Sequence, residues 1–102
     1  MWSSYQFGTI QVGGTATGLN QAILRPSGSP PIEAALIQVQ SDTAAIRFRH
    51  DGGTPTAASG GGFEAFPGRT FLVTGAVDLK NFQVIRRENE VVNPILQITY
   101  MR

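Results

Sequence analysis

The chain has no cysteine, a single histidine and no long apolar run. Without cysteine there is no disulfide framework, no thiolate nucleophile and no cysteine zinc site. His50 has no second imidazole to share a transition metal, and we interpret it, next to Asp51, as a solvated turn histidine. The seven acidic residues lack calcium-loop spacing, and the triple glycine Gly60–Gly62 lacks the ending of a P-loop. We therefore expect no catalytic activity, no cofactor and no metal.

Charge is also scarce. Charged residues make up 15% of the chain, against about 25% in a typical globular domain. The net charge of +1 disfavours direct nucleic-acid binding. All but one of the basic residues are arginine, which is enriched at protein–protein interfaces while lysine is depleted. No stretch approaches the roughly 20 apolar residues of a membrane helix, and the first residues lack the pattern of a signal peptide. We expect a soluble protein, made in the cytoplasm, that contacts other proteins.

Period-two alternation of apolar and polar residues predicts strands along most of the chain. With no helix longer than a turn or two, the pattern favours one all-β domain over residues 1–102. Its expected architecture is a single antiparallel β-sandwich of about seven or eight short strands, jelly-roll-like or immunoglobulin-like. The predicted strands are Tyr5–Val12, Ala34–Gln40, Ala44–Arg49, Thr70–Thr74, Phe82–Arg86 and Ile95–Met101, and Phe63–Phe66 is a short apolar segment.

Several connections carry specific expectations. Gly8 marks a possible bulge in the first strand, and Ser41-Asp42 predicts a hairpin between the second and third strands. Asp78 is expected to cap a helical turn, while Thr15–Leu24 fits either a strand or one helical turn. Proline and glycine predict flexible arms or crossovers at residues 25–31 and 59–62. The candidate core residues are Ile37, Val39, Ile46, Phe48, Phe71, Val73, Val84, Ile98 and Tyr100.

Two arginine pairs are the candidate partner-binding residues. Arg47 and Arg49 share one face of a predicted strand, and Arg86 and Arg87 close another. They fit either solvated faces with weak local ion pairs or an interface that meets carboxylates on a partner. Single-stranded nucleic-acid binding is disfavoured, because no aromatic residues for base stacking are interleaved with both pairs.

Three blocks of the sequence resemble small β-sandwich structural proteins of tailed-bacteriophage virions. The resemblance follows a strand ending in a D-G-x-x-P-T-A turn, an N-F-x-x-I-R strand and a final strand near Tyr100. The blocks are ALIQVQSDTAAIRFRHDGGTPTA (Ala35–Ala57), LKNFQVIRR (Leu79–Arg87) and LQITYMR (Leu96–Arg102).

This resemblance implies a protein made in the host cytoplasm and located in the virion, on the capsid surface or the tail. The first expectation is a capsid decoration (cement) protein that binds the major capsid protein as a homo-oligomer, a trimer or a ring. The alternative is a tail or head–tail connector adaptor. A third possibility is a carbohydrate-binding module of a host-recognition device, for which exposed aromatics such as Trp2 and Tyr100 would be needed.

Overall fold

Residues 3–25 and 31–102 are described by a computed structural model of the chain. The alternating segments form eight strands, and two short helices lie between them. The elements are β1 (Ser4–Gln11), β2 (Thr17–Gly18), α1 (Gln21–Leu24), β3 (Ala34–Val39), β4 (Ile46–Arg49), β5 (Phe63–Ala65), β6 (Thr70–Thr74), α2 (Ala76–Asn81), β7 (Gln83–Arg86) and β8 (Ile95–Met101). The predictions for β6 and β8 are confirmed to the residue.

The strands form two four-stranded antiparallel sheets. The first sheet has the order β1-β8-β3-β6, and the second has the order β2-β7-β4-β5. Strand pairs β1–β8, β2–β7, β3–β6 and β4–β5 are successive parts of one long antiparallel hairpin rolled into two layers. This arrangement is the jelly roll. The predicted all-β sandwich is confirmed, and the strand order selects the jelly-roll form over the immunoglobulin-like one.

The predicted hairpin through Ser41-Asp42 is wrong. β3 pairs with β6 and β8 in the first sheet, whereas β4 pairs with β5 and β7 in the second. The Ser41-Asp42 turn therefore crosses from one sheet to the other. A short polar turn between two alternating strands fits both a hairpin and a crossover, and the partners that decide between them are distant in sequence.

Three local predictions are also corrected or resolved. The irregularity in β1 lies between Ser4 and Gln6, not at Gly8, which pairs regularly with Ile98. Asp78 does not cap α2, because the helix begins earlier, with Gly75 at the N-cap position and Asp78 inside the first turn. Within 15–24, the chain forms both β2 and one helical turn, α1, capped by the Asn20 side chain.

The core lies between the two sheets. Seven of the nine predicted core residues are buried, whereas Phe48 and Phe71 are only partly buried at its margin. Their rings stack at 4.4 Å with an interplanar angle of 2°, and Phe82, which is fully buried, packs against both. The principal aromatic of the core is therefore Phe82. Further buried residues include Val12, Leu19, Leu24, Ile32, Leu79 and Leu96.

Of the two predicted arms, the first lies mostly outside the described residues, which omit 26–30. The second, 59–62, belongs to the connection between β4 and β5. There the Thr56 N–H donates to the Gly61 carbonyl and the Gly61 N–H donates to the Ala58 carbonyl. A Cβ at Gly62 would lie 2.8 Å from the Phe48 carbonyl oxygen, so glycine permits this close approach to β4.

Candidate interaction surface

Two of the four predicted arginines converge on one carboxylate. The Arg47 Nη2 lies 3.0 Å from Glu64 Oε2, and the Arg87 Nη1 lies 3.2 Å from the same oxygen. Arg47 is buried, with 8% of its surface exposed, and its Nε donates to the Ala57 carbonyl. Arg87 also contacts Glu90 and lies over the Phe66 ring at 5.0 Å. These guanidinium groups are engaged within the molecule.

Arg49 is paired with its near neighbour Asp51. Its Nε and Nη2 donate to the two carboxylate oxygens at 3.0 and 2.7 Å. This fork, joined by the Gly53 N–H, lowers the pKa of Asp51 to about 2. Arg86 is separate from the other three: its Nη1 donates to the Asn93 side-chain oxygen at 2.7 Å. The predicted face shared by Arg47 and Arg49 thus has one buried arginine and one that is paired at the surface.

We expect Arg49→Gln to raise the pKa of Asp51 towards the ordinary aspartate value, because the main charge-assisted hydrogen bonds disappear. Since the native pKa is depressed, any stability from this pair is complete above the ordinary pKa and is lost as the pH falls through about 2. An NMR titration of the Asp51 carboxyl carbon measures both values. An unchanged midpoint in the variant would show that Arg49 does not hold this carboxylate.

The outer side of the second sheet is covered by its own connections. The loop between β4 and β5 folds back, so that the Ala57 carbonyl accepts from Arg47 on β4 and from the Glu88 N–H beyond β7. Pro55 in the same loop is fully buried. Glu90 reaches the start of β4, where its Oε2 accepts from the Ala45 N–H at 2.9 Å. These connections therefore cover Arg47 and Ile85 on this side of the sandwich.

The outer side of the first sheet is different, because apolar side chains stand exposed on it. Phe7, Leu36 and Leu72 are 61%, 41% and 46% exposed. The register places them in one row that crosses all four strands, with Thr99 of β8 between Phe7 and Leu36. We call this set, in the order Phe7, Thr99, Leu36 and Leu72, the apolar row.

A second row runs beside the apolar row and contains only uncharged polar residues. By register it consists of Thr9, Gln97, Gln38 and Thr70. The two rows together are termed the open face, and none of their side chains is charged. A shallow groove of about 220 Å³ lies between them. Because large exposed apolar patches on soluble domains mark interaction sites, the open face is the candidate docking surface.

A cleft of about 430 Å³ at one edge of the second sheet is the next candidate. His50, Phe63 and the Arg49–Asp51 pair line it. The His50 ring stacks on Phe63 with centroids 6.0 Å apart, and its Nδ1 lies 3.5 Å from Asp78, not beside Asp51. His50 is thus a half-exposed histidine with an acidic neighbour, and no nucleophile is among the residues that line the cleft.

Sequence reasoning did not find the open face. Its signal was present, since Leu36 and Leu72 are apolar at positions that alternation assigns to the solvent side of strands with buried partners. Only the register shows that these leucines and Phe7 meet in one row. Tyr100, considered as an exposed aromatic for carbohydrate binding, is buried, and Trp2 lies outside the described residues.

The described residues contain no metal cluster and no membrane-spanning helix. No group of three or more acidic or histidine side chains in 3–25 and 31–102 is arranged to hold a metal ion. The helices in these ranges are too short to cross a membrane. Comparisons with protein-family models, curated proteins and solved structures found no significant match to the chain.

Proposed function

We propose that this chain is a non-enzymatic structural protein of a tailed-phage virion, a capsid decoration protein that docks on the major capsid protein. The open face carries the proposal, since it combines an exposed apolar row with a complete lack of charge. The partner that fits it is an equally uncharged, largely apolar patch, because a charged patch would be desolvated there without a counter-charge.

Two further observations support this function. The jelly roll is common in viral capsid proteins, although the fold by itself does not imply a function. The blocks that resemble virion structural proteins supply strands β3, β4, β7 and β8, so the resemblance follows elements of both sheets. The predicted arginines now have a smaller part in docking, because Arg47 is buried and Arg49, Arg86 and Arg87 are bonded internally.

We expect Leu36→Lys to weaken binding to virus particles at least about tenfold, because an unpaired ammonium group would be desolvated at the centre of the docking surface. The assay adds purified protein to particles that lack it and counts bound copies by electron microscopy. Val77→Lys is the matched control, since Val77 is 69% exposed on α2 and lies off the open face. Arg49→Gln tests the arginine alternative in the same assay.

The outcomes separate the possible readings. Undiminished binding by Leu36→Lys, with loss in Arg49→Gln, would move the interface to the arginines. Binding confined to the tail vertex would replace decoration with the tail or connector adaptor. A wild-type chain that binds no part of the particle would refute a role in the virion. Equal melting temperatures of the two lysine variants would show that both are folded.

A further inference from the structure

The four edges of the two sheets are unequally protected against pairing with another chain. β2 has two residues, and β5 has three, of which Glu64 is charged. β6 has Arg69 immediately before its first residue. His50 and Asp78 flank its outer edge, where they line a cleft with Leu72 and Thr74, so polar and charged side chains surround this edge. Short length and charge are the usual protections of an edge strand.

β1 has neither protection. It is eight residues long, contains no charged residue and no proline, and pairs only with β8 among the described residues. The Val12 N–H donates to the Pro94 carbonyl, so alternation turns the backbone groups of Gly8 and Ile10 towards β8 as well. The N–H and C=O groups of Phe7, Thr9 and Gln11 therefore face outwards, with no partner in the described chain.

We propose that β1 pairs with β1 of a second copy of this chain, in an antiparallel arrangement about a two-fold axis at Thr9. In this register Thr9 faces Thr9 of the other copy and Phe7 faces Gln11. The outward groups then form about six backbone hydrogen bonds. The pairing is self-complementary, as a two-fold interface requires, and it joins the two first sheets into one eight-stranded sheet.

The area available for docking gives a second reason to expect a dimer, separate from the unprotected edge of β1. This reason rests on the proposed docking function. At ~4.8 Å between strands and ~3.3 Å per residue, the whole outer side of the first sheet, which contains the open face, covers on the order of 400 Å². A stable interface of standard size takes about 800 Å² from each partner. Because the two-fold axis is perpendicular to the sheet, both open faces point the same way, and the dimer supplies about the standard area.

The test compares proline at the two edges of the same sheet. Thr9 and Thr70 lie in one row at opposite edges of the sheet, and each has its N–H on the free side of its strand. For Thr70 this follows because the Arg69 carbonyl of the same peptide unit points to β3, where it accepts from the Val39 N–H. By symmetry, Thr9→Pro removes two intermolecular hydrogen bonds and is expected to raise the dimer dissociation constant at least about tenfold. Thr70→Pro, at the edge that is not used, should leave this constant unchanged.

Sedimentation equilibrium of the full chain over a range of concentrations provides the measurement, with a monomer mass of 10.9 kDa. A second pair of variants covers the case in which proline unfolds the chain. Thr9→Lys places two ammonium groups opposite each other across the axis, so it should weaken the dimer and recover with added salt, whereas Thr70→Lys should do neither.

A wild-type chain that is monomeric at every concentration would overturn the inference. So would a dimer weakened equally by substitutions at positions 9 and 70, because the β1 edge would then not be the interface. The docking function is judged separately by the particle assay. A dimer that binds no particle would refute docking alone, and a monomer that binds particles would refute the pairing of β1 alone.

Discussion

Replacing Phe82 with alanine is expected to lower the free energy of unfolding by about 3–5 kcal/mol. The ring is fully buried and packs against Phe48 and Phe71, so the substitution leaves a cavity beneath a stacked aromatic pair. For a domain of this size, such a loss is a large fraction of the total stability of about 5–15 kcal/mol. Urea denaturation monitored by circular dichroism measures the change.

Two control variants set the scale for this measurement. Phe48→Ala should cost less than Phe82→Ala, because Phe48 is only partly buried. Phe7→Ala should change the stability by about 0.5 kcal/mol or less, since Phe7 stands exposed on the open face. If Phe48→Ala were the more damaging variant, Phe48 on β4, and not Phe82, would be the principal aromatic residue of the core.

The second large effect is expected from Glu64→Gln, which leaves Arg47 buried without its counter-charge. Glu64 forms ion pairs with both Arg47 and Arg87 and accepts a hydrogen bond from Arg87, and Arg47 is 8% exposed. Loss of a hydrogen bond to a charged group costs about 1.5–3 kcal/mol of stability. We expect Glu64→Gln to lower the free energy of unfolding by that order and not by more, because the Glu64 side chain is one-third exposed and water partly solvates the site. The midpoint of urea unfolding reports it.

Asp51→Asn is the matched control for Glu64→Gln, since it removes the partner of a solvent-exposed arginine and should shift the urea midpoint much less than Glu64→Gln does. Arg47→Met in the Glu64→Gln background should recover stability, because an apolar side chain of similar length needs no counter-charge there. If the double variant were no more stable than Glu64→Gln, the unpaired Arg47 charge would not be the source of the loss.

Local patterns predicted the strands well because each strand carries its own alternation. β6 and β8 have the predicted bounds, and Ala35, Ile37 and Val39, on the predicted inner face of β3, are all buried. Pairing could not be predicted in the same way. The composition of the Ser41-Asp42 turn fits a hairpin and a crossover equally well. The partners of β3 are β6 and β8, which are distant in sequence, so the local pattern does not identify them.

The candidate site shows the same division. Alternation correctly places Arg47 on the face opposite Ile46 and Phe48, but its burial depends on a proline- and glycine-rich loop that has no alternation of its own. The apolar row depends on the relative register of four strands, of which β1 and β6 lie at opposite edges of the sheet. Sequence alone thus identifies the strands, but not which of their outer faces stays open.

The position of β8 has a consequence for how the chain assembles. β8 is the last strand in chain order, yet it lies inside the first sheet, between β1 and β3. During synthesis both of these strands leave the ribosome before their shared partner exists, and their unpaired edges are prone to associate with other chains. The native sheet therefore closes in a late step, and its distant pairings predict slow folding, on the order of milliseconds to seconds.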